Sequence, residues 1–315
     1  MVEYIVRRFL LAIPTILLVM FMTFMLIRLA PGNLVEIMLA ERPYSTPADK
    51  VKLENELGLD EPIPTQFVKY LFNVAQGDLG ESPWTATPVA EELGRRLPIT
   101  IEFGLLAIIC GLVISLPIGV LAAVRQDTIG DYIGRSFAIL ALSVPVFFTA
   151  TLLVVFGPKM GWTPPLLYKS WSDGAISHIY YLLVPAILLG LTLAGSVMRM
   201  TRTMMLEVLR QDYIRTAWSK GLRERSVITR HAVKNAFIPV ITIIGLQVGV
   251  AISGTIIIES IFNMPGVGRY FVGAILQRDY PSVQGVVLVL ATVVVFVNLL
   301  IDLAYGWLDP RIRFS

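Results

Sequence analysis

Charge is scarce in this sequence. Asp, Glu, Lys and Arg make up 16% of its 315 residues, well short of the quarter that water-soluble domains carry. A water-soluble fold of this size has too little polar surface to hide what remains. Cysteine is scarcer still: Cys110 stands alone, so no disulfide closes within the chain and a cysteine-built metal cluster is excluded. Lying in an apolar run, it reads as a small core hydrophobe. The two histidines, His178 and His231, are far apart without metal-ligand spacing, and each reads as a surface or interfacial side chain. No G-x-x-x-x-G-K-[ST] occurs, nor any Gly-Lys dipeptide, so the chain has no P-loop for ATP. It also lacks a His-Glu zinc motif and a G-x-S-x-G elbow, which leaves no catalytic residue, cofactor site or metal site to nominate.

What is plentiful is apolar surface. Hydrophobic residues reach 55%, mean hydropathy is +0.71, and the apolar residues gather into long uncharged runs at 9–27, 99–124, 136–156, 180–197, 238–258 and 283–305. Each is near the roughly 20 residues a helix needs to cross a bilayer. The expected fold class is therefore all-α: a polytopic membrane protein of six transmembrane helices. The first run follows Arg7 and Arg8 like a signal peptide, but it is too long and no small-residue cleavage pattern follows, so it reads as an uncleaved first span. Pro14 is tolerable there because neighbouring helices re-satisfy the freed carbonyl.

Residues 1–30 thus hold the N-terminus and first span. Residues 31–98 change texture to prolines, acids and short amphipathic pieces such as 49–57, with Gly58 as a helix stop; this stretch reads as a small extramembrane domain. Residues 99–305 hold spans two to six, and 306–315 form a tail. The net charge of +3 points to basic membrane loops rather than to nucleic acid. Arg199, Arg202, Arg210, Arg215, Lys220, Arg223, Arg225, Arg230 and Lys234 crowd the fourth connection, 199–237, against only Glu207, Asp212 and Glu224, which makes that loop cytoplasmic. Six spans then put both termini in the cytoplasm, in keeping with Arg7, Arg8, Arg311 and Arg313, as are Arg125 and Arg135 in the second connection. Residues 31–98 face outward. The two halves of the chain show no evident repeat.

The fourth connection is more than a topology anchor. Residues 198–218 contain neither Gly nor Pro and read as helix, Gly221 breaks it, and 223–237 read as helix again, giving two helices at the membrane surface. Between them runs Tyr213-Ile214-Arg215-Thr216-Ala217-Trp218-Ser219-Lys220-Gly221. This resembles the EAA coupling loop of ATP-binding-cassette importer permeases, with small residues and then a glycine four positions after the last alanine. Small side chains at Thr216 and Ala217 allow close approach of a partner, Gly221 turns the chain, and the surrounding cations, Arg223 among them, suit a partner's acids. Arg215-Thr216 departs from the general pattern at its first two positions, and His231-Ala232-Val233 replaces a Leu-Pro ending.

Further landmarks narrow the likeness to the oligopeptide, dipeptide and nickel group of these permeases and extend it over nearly the whole chain. They are Arg8-Phe9 through Leu29-Ala30-Pro31-Gly32, Leu57-Gly58-Leu59-Asp60-Glu61-Pro62, Gly77-Asp78-Leu79-Gly80, the coupling loop with Lys220-Gly221-Leu222 and His231 to Ala236, Glu259 through Gly268, and Asp309-Pro310-Arg311-Ile312-Arg313. The resemblance implies the transmembrane domain of a type I importer, as the first of two homologous permeases. It implies two ATP-binding-cassette ATPases that bind the ATP and Mg, an external solute-binding protein, and an inner-membrane location. Its cargo would be a dipeptide, longer peptide, glutathione, metal chelate or oligosaccharide.

Polar groups inside spans need a partner or a function. Gln247, Glu259, Asn298 and Asp302 are candidates for a translocation path or for interhelical bonds, Asn298 and Asp302 sharing one helix face. Gly245, Gly249 and Ser253 form a small-residue ridge suited to helix packing. A self-contained secondary transporter or channel is the rival reading, but nothing resembles paired broken helices or a filter loop. A membrane enzyme would need the catalytic cluster that the chain lacks.

Overall fold

The computed structural model describes residues 2–29, 35, 39, 51, 54, 55, 58–164 and 167–308, with side chains described between 10 and 301. The side chains of Arg7, Arg8 and Asp302, most of 31–57, and the tail residues 309–315 lie outside the described residues. The helices are α1 (Val2–Leu29), α2 (Ile63–Ala75), α3 (Val89–Val124), α4 (Ile129–Ser143), α5 (Val146–Phe156), α6 (Ala175–Leu209), α7 (Asp212–Ser219), α8 (Glu224–Ile261), α9 (Val267–Leu276) and α10 (Tyr280–Leu308). Among the described residues there is no strand, only an isolated antiparallel bridge between Glu81 and Pro88. Five helices, α1, α3, α6, α8 and α10, are long and apolar enough to cross a membrane. The pair Ile129–Ser143 and Val146–Met160, bent by 90°, makes a sixth when counted as one broken span.

That break corrects the hydropathy reading of 136–156 as one continuous run. Pro145 lacks an N–H and pushes the residue before it out of the helical region; Val144 is extended at φ −94°, ψ 118°. The start of α3 is a second difference. Its helix begins at Val89, ten residues before the apolar run, because Glu91 and Glu92 in its first turn pair with Arg95 and Arg96 one turn later. Charge ends a hydropathy run, but at this spacing it supports a helix. Gly58 does turn the chain, at φ +62°, with its amide on the Asn55 carbonyl at 3.1 Å and that of Leu59 on Glu54 at 2.9 Å.

The chain divides into two compact units, Met1–Ile99 with Pro265–Val295, and Thr100–Met264 with Phe296–Ser315. In the first, α2 lies on α1 through aromatic side chains: Phe67 meets Phe21 edge-on at 5.5 Å, and Phe24 stands 5.1 Å from Phe67 and 5.9 Å from Tyr70. Arg28 covers the Phe24 ring and donates to Gln66 Oε1 from Nε and Nη2 at 2.9 and 2.7 Å. A second cluster buries Val89 and Leu93 against Val267 and Val286. There Gly285 is required, since a Cβ would stand 2.7 Å from Val89 Cγ1.

Beside that cluster Asp279 caps α10. Its Oδ1 accepts the Ser282 amide at 3.1 Å, and its Oδ2 accepts the hydroxyls of Ser82 at 2.5 Å and Ser282 at 2.7 Å. The Ser282 proton being committed, the Tyr270 hydroxyl donates to Ser282 Oγ at 2.6 Å. An Asp before the first helical residue satisfies an orphan amide and complements the helix dipole. Here it also ties in the loop that carries Ser82 and Trp84, whose indole Nε1 donates to the Gln277 carbonyl at 3.0 Å.

The second unit is arranged around α6, whose apolar window is 61% buried against 11% for α1. Backbones approach closely through glycine: a Cβ on Gly190 would lie 2.6 Å from the Ala107 carbonyl oxygen, and one on Gly195 2.9 Å from that of Ala138. Such contacts suit membrane helices, where packing rather than water drives association. Of the expected ridge, Gly245 packs within the chain, where a Cβ would stand 2.8 Å from Ile301 Cδ1, while a Cβ on Gly249 would meet nothing within 4 Å and Ser253 is exposed in this chain. His178 also departs from expectation. It is fully buried, with Nδ1 2.5 Å from the Lys169 carbonyl and Nε2 2.9 Å from Glu102 Oε1, flanked by Trp171 and Tyr168. Only tertiary structure brings these partners together, so sequence spacing carried no sign of them. Cys110 packs against the main core with Phe103, Leu189 and Ile258.

Candidate coupling surface

The segment between α6 and α8 folds as a short helix on a stem. α6 continues unbroken to Leu209, so 198–209 belong to the spanning helix rather than to a surface helix. The chain breaks at Arg210 and Gln211, and α7 covers only Asp212–Ser219. No Gly or Pro marks that break, which is why the sequence hides it. After α7 the chain turns at Gly221, with φ +74° and its amide on the Trp218 carbonyl at 2.8 Å. A left-handed residue at a helix C-terminus favours glycine.

One face of α7 is anchored within the chain. Ile214 and Ala217 are buried against Met205 of α6, Ala123 of α3, and Val227, Ala232 and Ala236 of α8. This corrects the expectation that Ala217 is small to admit a partner: it is small to admit this chain's own α6 and α8. Residues Val227–Ala232 wind as a π segment, and the five-residue step lets both of its ends turn into the same core. Tyr213 is fixed from outside, its hydroxyl accepting from Asn235 Nδ2 at 3.0 Å.

The rest of α7 is open. Tyr213 and Trp218, which flank the buried face on either side, and Leu222, just past the Gly221 turn, are 40–45% exposed, and Arg215, Thr216, Lys220, Gly221 and Arg223 around them are exposed too. Trp218 and Leu222 were not singled out from sequence; large apolar side chains in a strongly basic loop were the available signal. Large apolar side chains exposed amid cations suit contact with a partner.

Behind this surface lies an ionic lock that the sequence reading also missed. Asp131, fully buried at the start of α4, accepts from Arg202 of α6 in a bidentate pair, Nε to Oδ1 at 2.6 Å and Nη2 to Oδ2 at 2.7 Å. The Asp127 amide donates to Oδ2 at 3.0 Å, and Arg135 Nη2 stands 3.4 Å from it. Arg202 sits two turns before the end of α6, so the pair fixes the base of the stem. An acid in a connection carries no sequence sign of burial.

The intramembrane candidates separate. Glu259 is fully buried in this chain, whereas Gln247 is half-buried and Asn298 exposed. These three are not assembled into one cluster. Among the described residues no group of His, Cys, Asp or Glu has the makings of a metal site.

Comparison with known proteins places this architecture. The pattern of the family described as binding-protein-dependent transport system inner membrane component matches residues 115–314, and that of its N-terminal region matches residues 1–104. The dipeptide transport system permease protein of Escherichia coli (strain K12) is 40% identical over 337 aligned positions, covering 99% of each chain. The di/tripeptide transport system permease protein of Pseudomonas aeruginosa (strain UCBPP-PA14) is 40% identical over 334, again with 99% of each covered. Among solved structures, the inward-facing MetNI methionine ABC transporter shares the fold at TM-score 0.55 and 16% identity, over 69% of this chain and 96% of that one. An amino acid ABC transporter does so at 0.51 and 14%, over 70% and 94%. From its first helix to its last, the chain belongs to the binding-protein-dependent transport system inner membrane components, the multi-pass permease subunits of ATP-binding-cassette importers.

Proposed function

We propose that the exposed face of α7 seats in a cleft of an ATPase subunit and transmits its closure to the spans, and that this chain and a second, homologous permease enclose a path for peptides of a few residues. One observation carries the reading: Ile214 and Ala217 root α7 in its own chain while Tyr213 and Trp218 on its flanks, and Leu222 just after the Gly221 turn, stay exposed. A lever needs a fixed side and a gripping side. Two ATPases bind ATP and Mg and perform the hydrolysis, and an external binding protein delivers cargo; the relatives' names, dipeptide and di/tripeptide permeases, support the cargo class. The bases around α7 support a cytoplasmic location for it and for both termini, with 31–98 outside. Gln247 and Asn298 are the polar side chains offered to the path. Glu259, turned into its own core, is not.

Co-expression of the chain with its ATPases tests this. Trp218→Ala and Leu222→Ala together are expected to lower ATPase retention on the purified permease by about tenfold or more, as for a central contact pair, with membrane insertion unchanged. Full retention and full peptide uptake in the double variant would overturn the assignment. Loss of retention on removing Arg223 and Arg225, with Trp218 and Leu222 dispensable, would make the loop a lipid anchor instead.

A further inference from the structure

In the first unit, a cavity of about 340 Å³ is lined by Leu26 and Ile27 of α1, by Ile275, Arg278 and Tyr280 at the turn from α9 to α10, and by Val283 of α10. Arg278 is held there by its backbone. It adopts φ +53°, a left-handed conformation that residues other than glycine enter only with strain, and the turn is clamped by its own amide on the Ile275 carbonyl at 3.1 Å and the Asp279 amide on Ala274 at 2.9 Å. Its Nη1 is buried and donates to no acceptor among the described residues, nor does any ion pair there involve Arg278. The neighbouring carboxylate of Asp279 is taken by Ser82 and Ser282. The next cation, Arg28, is engaged with Gln66. Arg278 is therefore a half-buried cation, strained into place at the end of an apolar cavity, whose buried Nη1 is a donor that suits an anionic partner.

The surroundings identify the kind of anion. Leu26 is exposed, as are Met22 and Leu29 on the same helix, and Ile275 and Leu276 continue the apolar surface beside the cavity, Leu276 being 77% exposed. Within this chain α1 is the least buried of the spanning helices, and an apolar face of that kind suits contact with hydrocarbon. A water-borne anion such as a peptide carboxylate would have to cross that apolar surface, whereas the acyl chains of a lipid match it. The length and apolar run of α1 end here, at the level of the headgroups.

We propose that this cavity is a binding site for an anionic phospholipid: a phosphodiester oxygen accepts the charge-assisted hydrogen bond from Arg278 Nη1, and the first part of an acyl chain lies against Leu26, Ile27, Ile275 and Val283. The lipid pins the end of α1 to the α9–α10 turn. Nothing in the coupling proposal depends on this site, and the two fail separately.

The full chain, purified with the subunits that accompany it and stripped of lipid, is offered phosphatidylglycerol, phosphatidylcholine, inorganic phosphate or dialanine, and retained ligand is read by native mass spectrometry. Both lipids offer the phosphodiester oxygen, but the choline cation of phosphatidylcholine offsets its charge beside the arginine, so phosphatidylglycerol is expected to be held roughly tenfold more tightly. In Arg278→Gln the two lipids become equal. Ile27→Trp fills the cavity from the α1 side without touching the charge, and loses both. An unchanged phosphatidylglycerol preference in Arg278→Gln overturns the site. So does undiminished lipid retention in Ile27→Trp, whatever the fate of the arginine variant. Displacement of phosphatidylglycerol by inorganic phosphate or dialanine assigns the cavity to a soluble anion and overturns the lipid.

Discussion

Asp279 and Asp131 are both hidden from solvent, one in each unit, and they are held by opposite chemistry. Asp279 is surrounded by neutral donors: two serine hydroxyls and the amide of the helix it caps. Asp131 faces a guanidinium in bidentate register, with a second one nearby. Neutral donors and a helix dipole stabilise a carboxylate without placing another charge in the interior, so the first arrangement suits a static joint between a loop and a helix end. An ion pair works only while both members are present, and each is a heavy liability alone. That makes the second suited to holding two helices, α4 and α6, as one rigid piece at the base of the lever that α7 forms. On the proposed mechanism the force applied at Trp218 and Leu222 reaches the spans through this piece.

Breaking the ionic side is expected to have the largest effect. Asp131→Ala leaves Arg202 largely buried without its partner and should cost about 3–5 kcal/mol, read as a lowered midpoint in detergent-solubilised unfolding. The paired variant Asp131→Ala with Arg202→Met should recover part of that loss, because the orphaned charge is gone. A double variant as unstable as the sum of the two singles would mean that the pair is not a unit. On the neutral side, Asp279→Ala removes a cap and the acceptor of two hydroxyls, for about 2 kcal/mol, and Ser82→Ala should lose about half as much. If Asp279→Ala proved as damaging as Asp131→Ala, the contrast between the two environments would fail.

Much of this was legible in the sequence, because a membrane imposes a strong and simple code. The number and approximate position of the crossings followed from uncharged runs, and the turn at Gly221 from a glycine after a Gly-free stretch. What stayed hidden has a common physical cause: position along the chain does not reveal which face a side chain turns inward. Ala217 and Trp218 are adjacent, yet one is in the core and the other on the gripping face. Asp131 and Arg202 are 71 residues apart, and nothing local distinguishes either from a solvated charge. His178, expected as a surface or interfacial side chain, is buried for the same reason. The break in the third span was missed because hydropathy passes through Pro145 without a change, although the proline itself is a backbone signal.

The stem of the coupling surface offers a smaller effect than either aspartate. A Cβ at Gly221 meets nothing within 4 Å, so the penalty of Gly221→Val is conformational alone, about 1–2 kcal/mol for a β-branched residue at φ +74°. Gly221→Asn should lose much less, since Asn tolerates that region. Ala217→Trp fails for a different reason, overpacking the cluster of Met205, Ile214 and Val227. Both lower ATPase retention, but only Ala217→Trp should also lower the unfolding midpoint of the permease expressed without its ATPases by more than the valine does. The reverse order would place Ala217 on the gripping face after all.

The smallest effect sharpens the contrast most, because it uses the same pair of residue types. Arg215 Nη1 stands 3.6 Å from Asp212 Oδ1 on the surface of α7, with the side chains 74% and 97% exposed. On paper this is another Arg–Asp bridge, three residues apart on a helix. In water, however, the two charges gain little from each other, the long arginine side chain loses freedom by staying in place, and salt screens what is left. Asp212→Ala should therefore change the unfolding midpoint by less than about 0.5 kcal/mol-equivalent, and the difference should vanish on raising the salt. Asp131→Ala, measured in the same series, should keep nearly all of its effect in high salt, since ions do not reach a fully buried carboxylate. An Asp212 loss comparable to that of Asp131, or a strong salt dependence at Asp131, would show that burial is not what separates the two pairs.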